Sequence, residues 1–319
     1  MTRPLLESLI REHTIERKNI KLLWNTRVQD LLFDGDAVAG VAYTVGADAP
    51  TKDSAALLVD ASGRGTRLRK WLTGADFPAP SVSSLHVDVR YATSLYERPP
   101  GPESEIGFVI RHYPMDKLGA AMLPVENDQW LLSLSGRFGV YPGKDPESFL
   151  ASAATLPVTE VADALHNVPA TTGVTAYTFS HNEVRHYGDG MPAGILPIGD
   201  SVISLNPLYG QGMTSALVQA DLLHQTLSSS AGNRFDAQQL TAQHLPRISH
   251  FSAPAWKRAV LGDTIFSEAS GDIPAELGVW RKQEAQLNAL ATADPEVANL
   301  IFQVAQFAEP PETLDAFLD

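Results

Sequence analysis

The chain has 319 residues, of which 44% are apolar and 19% are charged, and its formal net charge is −13. This length suffices for one large or two smaller domains with a sizeable core, and the composition argues against wholesale disorder. The negative charge and the lack of a Lys/Arg-rich run argue against a nucleic-acid partner. The absence of cysteine excludes disulfides, thiolate metal sites and a cysteine nucleophile.

No apolar run in the sequence reaches the length of a membrane span, and the first residues lack the apolar centre of a signal peptide. The composition fits a cytoplasmic enzyme, and we expect that location and no membrane span. No internal repeat of solenoid or propeller length is present.

The first part of the chain predicts a helix followed by strands. Amphipathic spacing indicates a helix at 4–17, with proline in its first turn. Strand-like apolar runs follow at 20–26, 28–33, 37–45 and 55–61. Between the last two runs, residues 46–54 are polar and predict a loop. The final run leads into a glycine-rich turn and a helix at 66–72.

Residues 76–181 predict an antiparallel sheet, because short alternating runs recur at 84–91, 105–112, 120–124, 130–135 and 174–179. Helices at 145–156 and 158–166 interrupt them. Several aromatic residues of this block are expected mostly in the core, with some lining an apolar pocket: Tyr91, Tyr96, Phe108, Tyr113, Trp130 and Phe138. Residues 234–319 predict helices that are broken at Pro246, Pro254, Pro274 and Pro295.

The most informative stretch is 194–227. Residues 195–198 predict a buried strand that ends at Gly199 and Asp200, and a turn rich in glycine follows. Apolar residues then recur at helical spacing and predict the packed face of a helix: Met213, Ala216, Leu217, Ala220 and Leu223. This layout presents backbone N–H groups and a positive helix end to an anion, while the Asp can accept hydrogen bonds from hydroxyls. A polyol joined to a phosphate, as in FAD, satisfies both halves.

The order of residues in this stretch resembles a known family. Gly199-Asp200, Asn206-Pro207 and Gly210-Gln211-Gly212-Met213 resemble the second flavin motif of FAD-dependent monooxygenases of the para-hydroxybenzoate hydroxylase superfamily. In that family the Asp holds the ribityl chain, and the Pro and Gly residues line the flavin ring. The resemblance implies cofactor contacts from Gly199, Asp200, Pro207, Gly210, Gln211, Gly212 and Met213. The alternative is an ordinary strand–loop–helix crossover.

A second stretch resembles the middle motif of the same superfamily, which joins flavin and nicotinamide binding. It reads Asp60-Ala61-Ser62-Gly63-Arg64-Gly65-Thr66, with Arg69 beyond it, and Ser62 stands where many members have Asp. The two glycines do not make a dinucleotide fingerprint, because Leu68 occupies its third small-residue position. The resemblance implies cofactor contacts from Asp60, Gly63 and Arg69, and NAD(P)H as reductant. The alternatives are a helix cap for Asp60 and a solvated charge for Arg69.

The first residues add two further resemblances. Thr2-Arg3-Pro4-Leu5-Leu6-Glu7 resembles the helix start that sends an Arg or Gln toward the flavin, which implies a contact from Arg3. Trp24-Asn25-Thr26-Arg27-Val28 is similar to the strand whose backbone meets the adenine, which implies a contact from Val28.

The resemblance implies an α/β fold with an α+β insertion. Residues 1–75 and 182–233 would form a discontinuous, Rossmann-like FAD-binding domain, 76–181 an antiparallel-sheet substrate domain, and 234–319 a helical region. The family begins with a strand–helix–strand unit carrying G-x-G-x-x-G, which cradles the pyrophosphate, and no such unit precedes Thr2. We therefore expect an N-terminally incomplete fold that binds FAD poorly by itself, with a separate N-terminal half as a candidate partner.

The implied activity is monooxygenation of an apolar small molecule with O2, through a flavin C4a-hydroperoxide, so no catalytic side chain or metal is expected. The stretch 204–213 is closest to the epoxidase-like branch, which favours epoxidation of a polyketide or terpenoid alkene, with aromatic hydroxylation next. The alternatives are an alkene reductase of the prenyl type, a halogenase, whose Trp-x-Trp signature is absent, and an inactive fragment acting as a binding protein. His181 and His186 lack triad partners and are interpreted as loop histidines.

Overall fold

The structure is a computed structural model that describes residues 1–101, 107–111, 116–229 and 235–318. Its strands are β1 (Thr26–Asp34), β2 (Ala37–Val45), β3 (Thr51–Ser54), β4 (Leu58–Asp60), β5 (Ser81–Glu97), β6 (Phe108–Ile110), β7 (Leu118–Val125), β8 (Gln129–Arg137), β9 (Thr175–His186), β10 (Ile195–Pro197), β11 (Ile203–Ser204) and β12 (Ser270–Gly271). Its α-helices are α1 (Arg3–Ile15), α2 (Leu68–Gly74), α3 (Pro146–Ala153), α4 (Glu160–Ala164), α5 (Gly212–Ser229), α6 (Ala237–Asp263), α7 (Leu277–Ala293) and α8 (Pro295–Ala305).

The chain divides into two compact units. The first unit consists of Met1–Leu23, Val87–Ser180 and Ile265–Ala269, and the second of Trp24–His86, His181–Thr264 and Ser270–Asp319. The chain passes from one unit to the other within β5 and again within β9. In the described part of the chain, no helix is both long and apolar enough to span a bilayer.

The first unit is built on an antiparallel sheet, as its alternating sequence predicts. Strand β7 pairs with β6 on one side and β8 on the other, and β8 pairs with β5. Alternate residues of β8 enter the core, where Phe149 of α3 and Val161 of α4 cover them. Of the aromatic residues expected in the core, Tyr96 and Trp130 are buried there, while Tyr113 lies outside the described residues.

The second unit contains two smaller sheets. Strands β1, β2 and β3 form an antiparallel sheet, and β4 pairs in parallel with β10. Helix α2 is tied to the antiparallel sheet because the indole N–H of Trp71 donates to the Gln29 carbonyl at 2.9 Å. The long helix α6 contributes many buried residues and lies against β10, where His244 Nε2 is 3.2 Å from the Pro197 carbonyl.

Two sequence-based assignments near the start of the chain are wrong. Residues 20–25 are not a strand: β1 begins at Thr26, and Ile20 and Trp24 are exposed. An apolar run becomes a strand only when a neighbouring strand pairs with it, and no described strand does so there. Conversely, the predicted loop at 46–54 ends in β3, a fully exposed edge strand whose polar composition disguised it.

The prolines of the C-terminal region do not all break helices. Pro246 and Pro254 lie inside the continuous 27-residue helix α6, whereas Pro295 occupies the first turn of α8. Each internal proline removes one helical hydrogen bond. The buried side chains of α6, which include Leu240, Ile248 and Trp256, offset that cost.

Helix α5 is present as predicted, but its packed face is not the predicted one. Met213 and Leu217 are 43% and 57% exposed, while Ser215, Gln219 and Thr226 are buried. The helix is therefore turned so that polar side chains face the protein. Periodicity identified the apolar residues correctly but not the buried face, because the inner face is fixed by Gln219, which accepts a hydrogen bond from the distant Gly199 N–H.

Burial of His244 makes a testable prediction about stability. Its side chain is fully buried and burial lowers its pKa, and Nδ1 has no hydrogen-bond partner among the described residues. The unfolded chain therefore binds a proton at a higher pH than the folded chain does. We expect this contribution to stability to be complete above pH 6.5, the ordinary value, and to be lost progressively as the pH falls below it.

The measurement is the urea midpoint of wild type and His244→Gln between about pH 5 and 8. Glutamine keeps an N–H that can donate to Pro197 but does not titrate. Wild type should lose more stability than the variant on acidification. Parallel curves would show that His244 does not titrate against folding.

Candidate active site: two glycine turns at the ends of parallel strands

The two motifs singled out in the sequence lie side by side in the second unit. Parallel pairing of β4 with β10 places the carboxyl ends of both strands at one edge. Beyond that edge, the Ile198 N–H donates to the Asp60 carbonyl at 3.0 Å, and Ser201 Oγ donates to the same carbonyl at 2.7 Å. A Cβ built on Gly63 would lie 3.9 Å from the Cβ of Asp200. The turns that follow the two strands are therefore neighbours.

The carboxylate of Asp60 shapes the first turn. Its Oδ1 accepts from the Ser62 N–H at 3.0 Å, and its Oδ2 accepts from Thr66 Oγ1 at 2.5 Å. These bonds lie within the turn, and Asp60 caps neither the short turn at Gly63–Gly65 nor helix α2, whose N-cap residues are Ser62 and Arg67. Gly63 has φ +76°, a left-handed conformation that favours glycine. A direct cofactor contact from Asp60 stays a prediction.

Arg185 of β9 joins the two turns. Its guanidinium donates through Nη1 to the Asp200 carbonyl at 3.0 Å and through Nη2 to the Arg64 carbonyl at 3.1 Å. Nη2 also lies 2.8 Å from Glu183 Oε2, and the Arg185 side chain is only 9% exposed. Sequence reasoning missed this residue, because it lies in neither motif and its partners are 15 and 121 positions away.

The inner face of α5 binds the second turn. The Gly199 N–H donates to Gln219 Oε1 at 2.8 Å, and Gln219 Nε2 donates to Ser215 Oγ at 3.0 Å. The Gly199 amide is thus occupied within the protein. By helix geometry the first N–H groups of α5, at Gly212, Met213 and Thr214, have no acceptor inside the helix. These N–H groups are the ones that can meet an anion.

The loop that leads into α5 is held by its side chains and presents its backbone. Asn206 is buried and its Oδ1 accepts from the Leu208 N–H at 2.9 Å, and Gly210 has φ +66°. The Gln211 side chain is also buried: its Oε1 accepts from Arg258 and its Nε2 donates to the Ala305 carbonyl. Any cofactor contact from Gln211 would therefore come from its main chain.

The surface beside the glycines fits a ligand that approaches the backbone closely. A Cβ built on each of four glycines would meet no described atom within 4 Å: Gly65, Gly199, Gly210 and Gly212. Met213, at the start of α5, is 43% exposed. An anion-binding helix end, a strand-end carboxylate at Asp200 and unobstructed glycines are the groups that a diphosphate joined to a polyol requires. The residues present fit FAD.

Three further predicted cofactor residues belong to neither of the two turns. Val28 is an exposed residue of β1 opposite Tyr43, and Arg69 is exposed on α2. Arg3 belongs to the first unit, where its Nε donates to Glu7 Oε1 at 2.7 Å. Cofactor contacts from these three residues stay predictions.

The two histidines were expected in a loop, and that expectation is wrong because both belong to β9. The ring of His181 lies 4.9 Å from that of His86, and His186 Nε2 is 2.9 Å from Ser83 Oγ.

The chain belongs to the FAD binding domain family, which matches residues 1–244. The predicted membership in the flavin-dependent superfamily and the predicted FAD-binding α/β fold are confirmed. Protein Rv3254 of Mycobacterium tuberculosis (strain ATCC 25618 / H37Rv) is 30% identical over 283 residues, which are 85% of this chain and 58% of that protein. The chain therefore spans little more than half the length of this relative.

Several solved structures share the fold of this chain. The flavin-dependent brominase Bmp2 has a TM-score of 0.66 at 16% identity, over 96% of this chain and 70% of its own. The anhydrotetracycline hydroxylase OxyS from Streptomyces rimosus has a TM-score of 0.57 at 20% identity, over 96% and 56%. PqsL of P. aeruginosa, in complex with 2-aminobenzoylacetate, has a TM-score of 0.60 at 18% identity, over 82% and 68%.

Removing the Arg185 guanidinium should separate the two turns. We expect Arg185→Met to lower the free energy of unfolding by about 2–3 kcal/mol, because it removes charge-assisted hydrogen bonds that a 9%-exposed guanidinium donates to two backbone carbonyls. Arg27→Met, the same change at an exposed position of β1, should stay within about 0.5 kcal/mol of wild type. Equal effects in denaturant titrations of the two variants would contradict the role given to Arg185.

Proposed function

We propose that this chain is the larger part of an FAD-dependent monooxygenase. The observation that carries the proposal is the meeting of two turns, one after β4 and one after β10, beside the start of α5. Unobstructed glycines line this junction, and Asp200 lies at its strand end. Family membership supports the cofactor, since the matched family is named for FAD binding.

The proposal gives each element of the junction a task. The first N–H groups of α5 bind the diphosphate, and the Asp200 carboxylate accepts hydrogen bonds from the ribityl hydroxyls. The backbone from Pro207 to Gly212 forms the wall against which the flavin ring lies. When bound, FAD supplies the redox and oxygen-transfer chemistry, so the protein has to bind, orient and exclude water. NAD(P)H is the proposed reductant.

We further propose that the antiparallel sheet of the first unit binds an apolar small molecule. Alternation along its strands leaves one face to the core and the other to a ligand or solvent. Epoxidation of a polyketide or terpenoid alkene is the first candidate reaction, and aromatic hydroxylation is the second. A cytoplasmic location is part of the same proposal.

Two surfaces support the proposal that a further unit completes the cofactor site. Within the described residues β4 pairs only with β10, and alternate groups of β4 bond to it: the Leu58 N–H and the Asp60 carbonyl. The N–H and carbonyl of Val59 therefore point away, and Val59 is 41% exposed. An edge strand with unpaired N–H and carbonyl groups can pair with a further strand.

The second surface is the exposed stripe on α5 that includes Met213 and Leu217. A strand paired with β4 at Val59 and a helix packed on the α5 stripe would cover both surfaces. A separate polypeptide with the G-x-G-x-x-G unit has that form, and it is our proposed partner.

The proposal predicts how this chain handles FAD. The 319-residue chain should lose FAD during gel filtration, because part of the diphosphate site comes from the partner. In equilibrium titrations that follow flavin fluorescence, Asp200→Ala should weaken FAD binding about tenfold or more by removing a charged hydrogen-bond acceptor. Asp34→Ala, an exposed carboxylate in the hairpin of β1 and β2, is the matched control. Stoichiometric retention of FAD by the chain would refute the need for a partner.

The reaction class is tested with chain and partner combined, NADPH, and an apolar alkene under ¹⁸O₂. Monooxygenation predicts oxygen uptake and a product that gains one labelled oxygen atom. A product that gains two hydrogens without oxygen uptake would instead indicate an alkene reductase. A halogenated product in the presence of bromide would indicate a halogenase. No turnover together with tight ligand binding would favour the binding-protein alternative.

A further inference from the structure

A buried polar cluster lies next to the loop of residues 206–211, which is called the glycine loop here. Three side chains that are distant in the sequence meet in this cluster: Asn182 of β9, Asn206 at the start of the glycine loop, and Asp263, the last residue of α6. They are 0%, 1% and 0% exposed. The Asn182 Nδ2 donates to Asp263 Oδ2 at 2.5 Å, and the Asn206 Nδ2 donates to the two Asp263 oxygens at 3.0 and 3.1 Å. All three residues belong to the second unit.

The backbone N–H and both side-chain polar atoms of Asn206 are hydrogen-bonded. Its backbone N–H donates to Asn182 Oδ1 at 2.6 Å, and its Oδ1 accepts from the Leu208 N–H. Because Nδ2 donates to Asp263, hydrogen bonds hold both the main chain and the side chain of Asn206. The turn through Pro207 therefore begins from a single orientation.

The same end of α6 supports the next residues of the loop. Tyr209 Oη donates to the Ala259 carbonyl at 3.2 Å, and a Cβ built on Gly262 would lie 2.7 Å from that hydroxyl. A side chain larger than glycine at position 262 would push Tyr209 away. Gln211 is held by Arg258, one helical turn earlier. Residues 258–263 of α6 thus contact the loop at 206, 209 and 211.

We propose that the last turn of α6 is the positioning element of the glycine loop, and that Asp263 is its central residue. Asp263 is fully buried. It acts by binding Asn206, which sets the backbone of Gly210 and the approach to the first N–H groups of α5. The consequence for FAD rests on the proposed function, whereas the conformational role does not.

The alternative is that the cluster merely fills the interior. The two ideas differ in what an isosteric exchange should do. Asp263→Asn keeps the shape but sets an amide N–H group against the amide of Asn206. Asn206→Asp combined with Asp263→Asn restores the pairing: Asp at 206 accepts from Asn at 263 and from the Leu208 N–H, and Asn at 263 still accepts from Asn182.

The experiment is amide hydrogen exchange on the full chain without FAD. We expect amide exchange of residues 208–211 to rise at least about tenfold in Asp263→Asn, while that of β4 and β10 changes little. The exchanged pair should return to within about threefold of wild type. Asp236→Asn is the matched control, because Asp236 caps the opposite end of α6 through the Gln239 N–H at 3.0 Å. It should leave the loop unchanged.

Several results would overturn the proposal. One is unchanged amide exchange of residues 208–211 in Asp263→Asn, and another is failure of the double variant to restore protection. If Asp263→Asn does not fold, Gly262→Ala gives a second test, since its Cβ displaces Tyr209 without altering charge. Unchanged loop exchange in that variant would also refute the proposal. Loss of FAD binding in a chain whose loop remains protected would count against the proposed function and leave the positioning role standing.

Discussion

The parallel pairing of Leu58–Asp60 with Ile195–Pro197 is the constraint on which the site depends. Two short strands separated by about 135 positions in the chain are brought into register, and parallel geometry makes both end at one edge. Two side chains then join the turns by donating to backbone carbonyls. Ser201 Oγ donates to the Asp60 carbonyl, and the Arg185 guanidinium donates to the carbonyls of Arg64 and Asp200. Without this pairing, neither glycine turn would have a neighbour with which to form a ligand site.

Polar side chains occupy part of the interior next to this junction, while two apolar side chains near it lie at the surface. Gln219 is buried and bonds to Gly199, while Asp263 is buried and bonds to two asparagine amides. A buried polar group is costly unless its hydrogen bonds are made, so such a network specifies one arrangement more strictly than apolar packing does. Meanwhile Leu217 and Val59 remain exposed. The contrast shows that hydrogen bonds specify this part of the interior, whereas these two apolar side chains lie at the surface of the unit.

The family and the site geometry support each other at different levels. Family membership names the cofactor, and the fold places the residues that resemble its binding motifs. The geometry adds what the motifs do not state. The Asp60 carboxylate is bound within its own turn, and the Gln211 side chain faces inward. The cofactor contacts of the glycine main chains and of Asp200 remain part of the proposed function.

Short sequence motifs and local periodicity were enough to predict the family, the mixed α/β class, the antiparallel sheet and the two glycine turns. Those features depend on residues that are close together in the chain. The motifs and the periodicity did not predict that Pro246 and Pro254 lie within one helix, that α5 turns its apolar stripe outward, or that Arg185 and Asp263 hold the site. Periodicity reports which residues are apolar and not what covers them. Hydrogen bonds between residues 57 to 121 positions apart, such as those of Asp263 with Asn206 and of Arg185 with Arg64, exist only once the chain has folded.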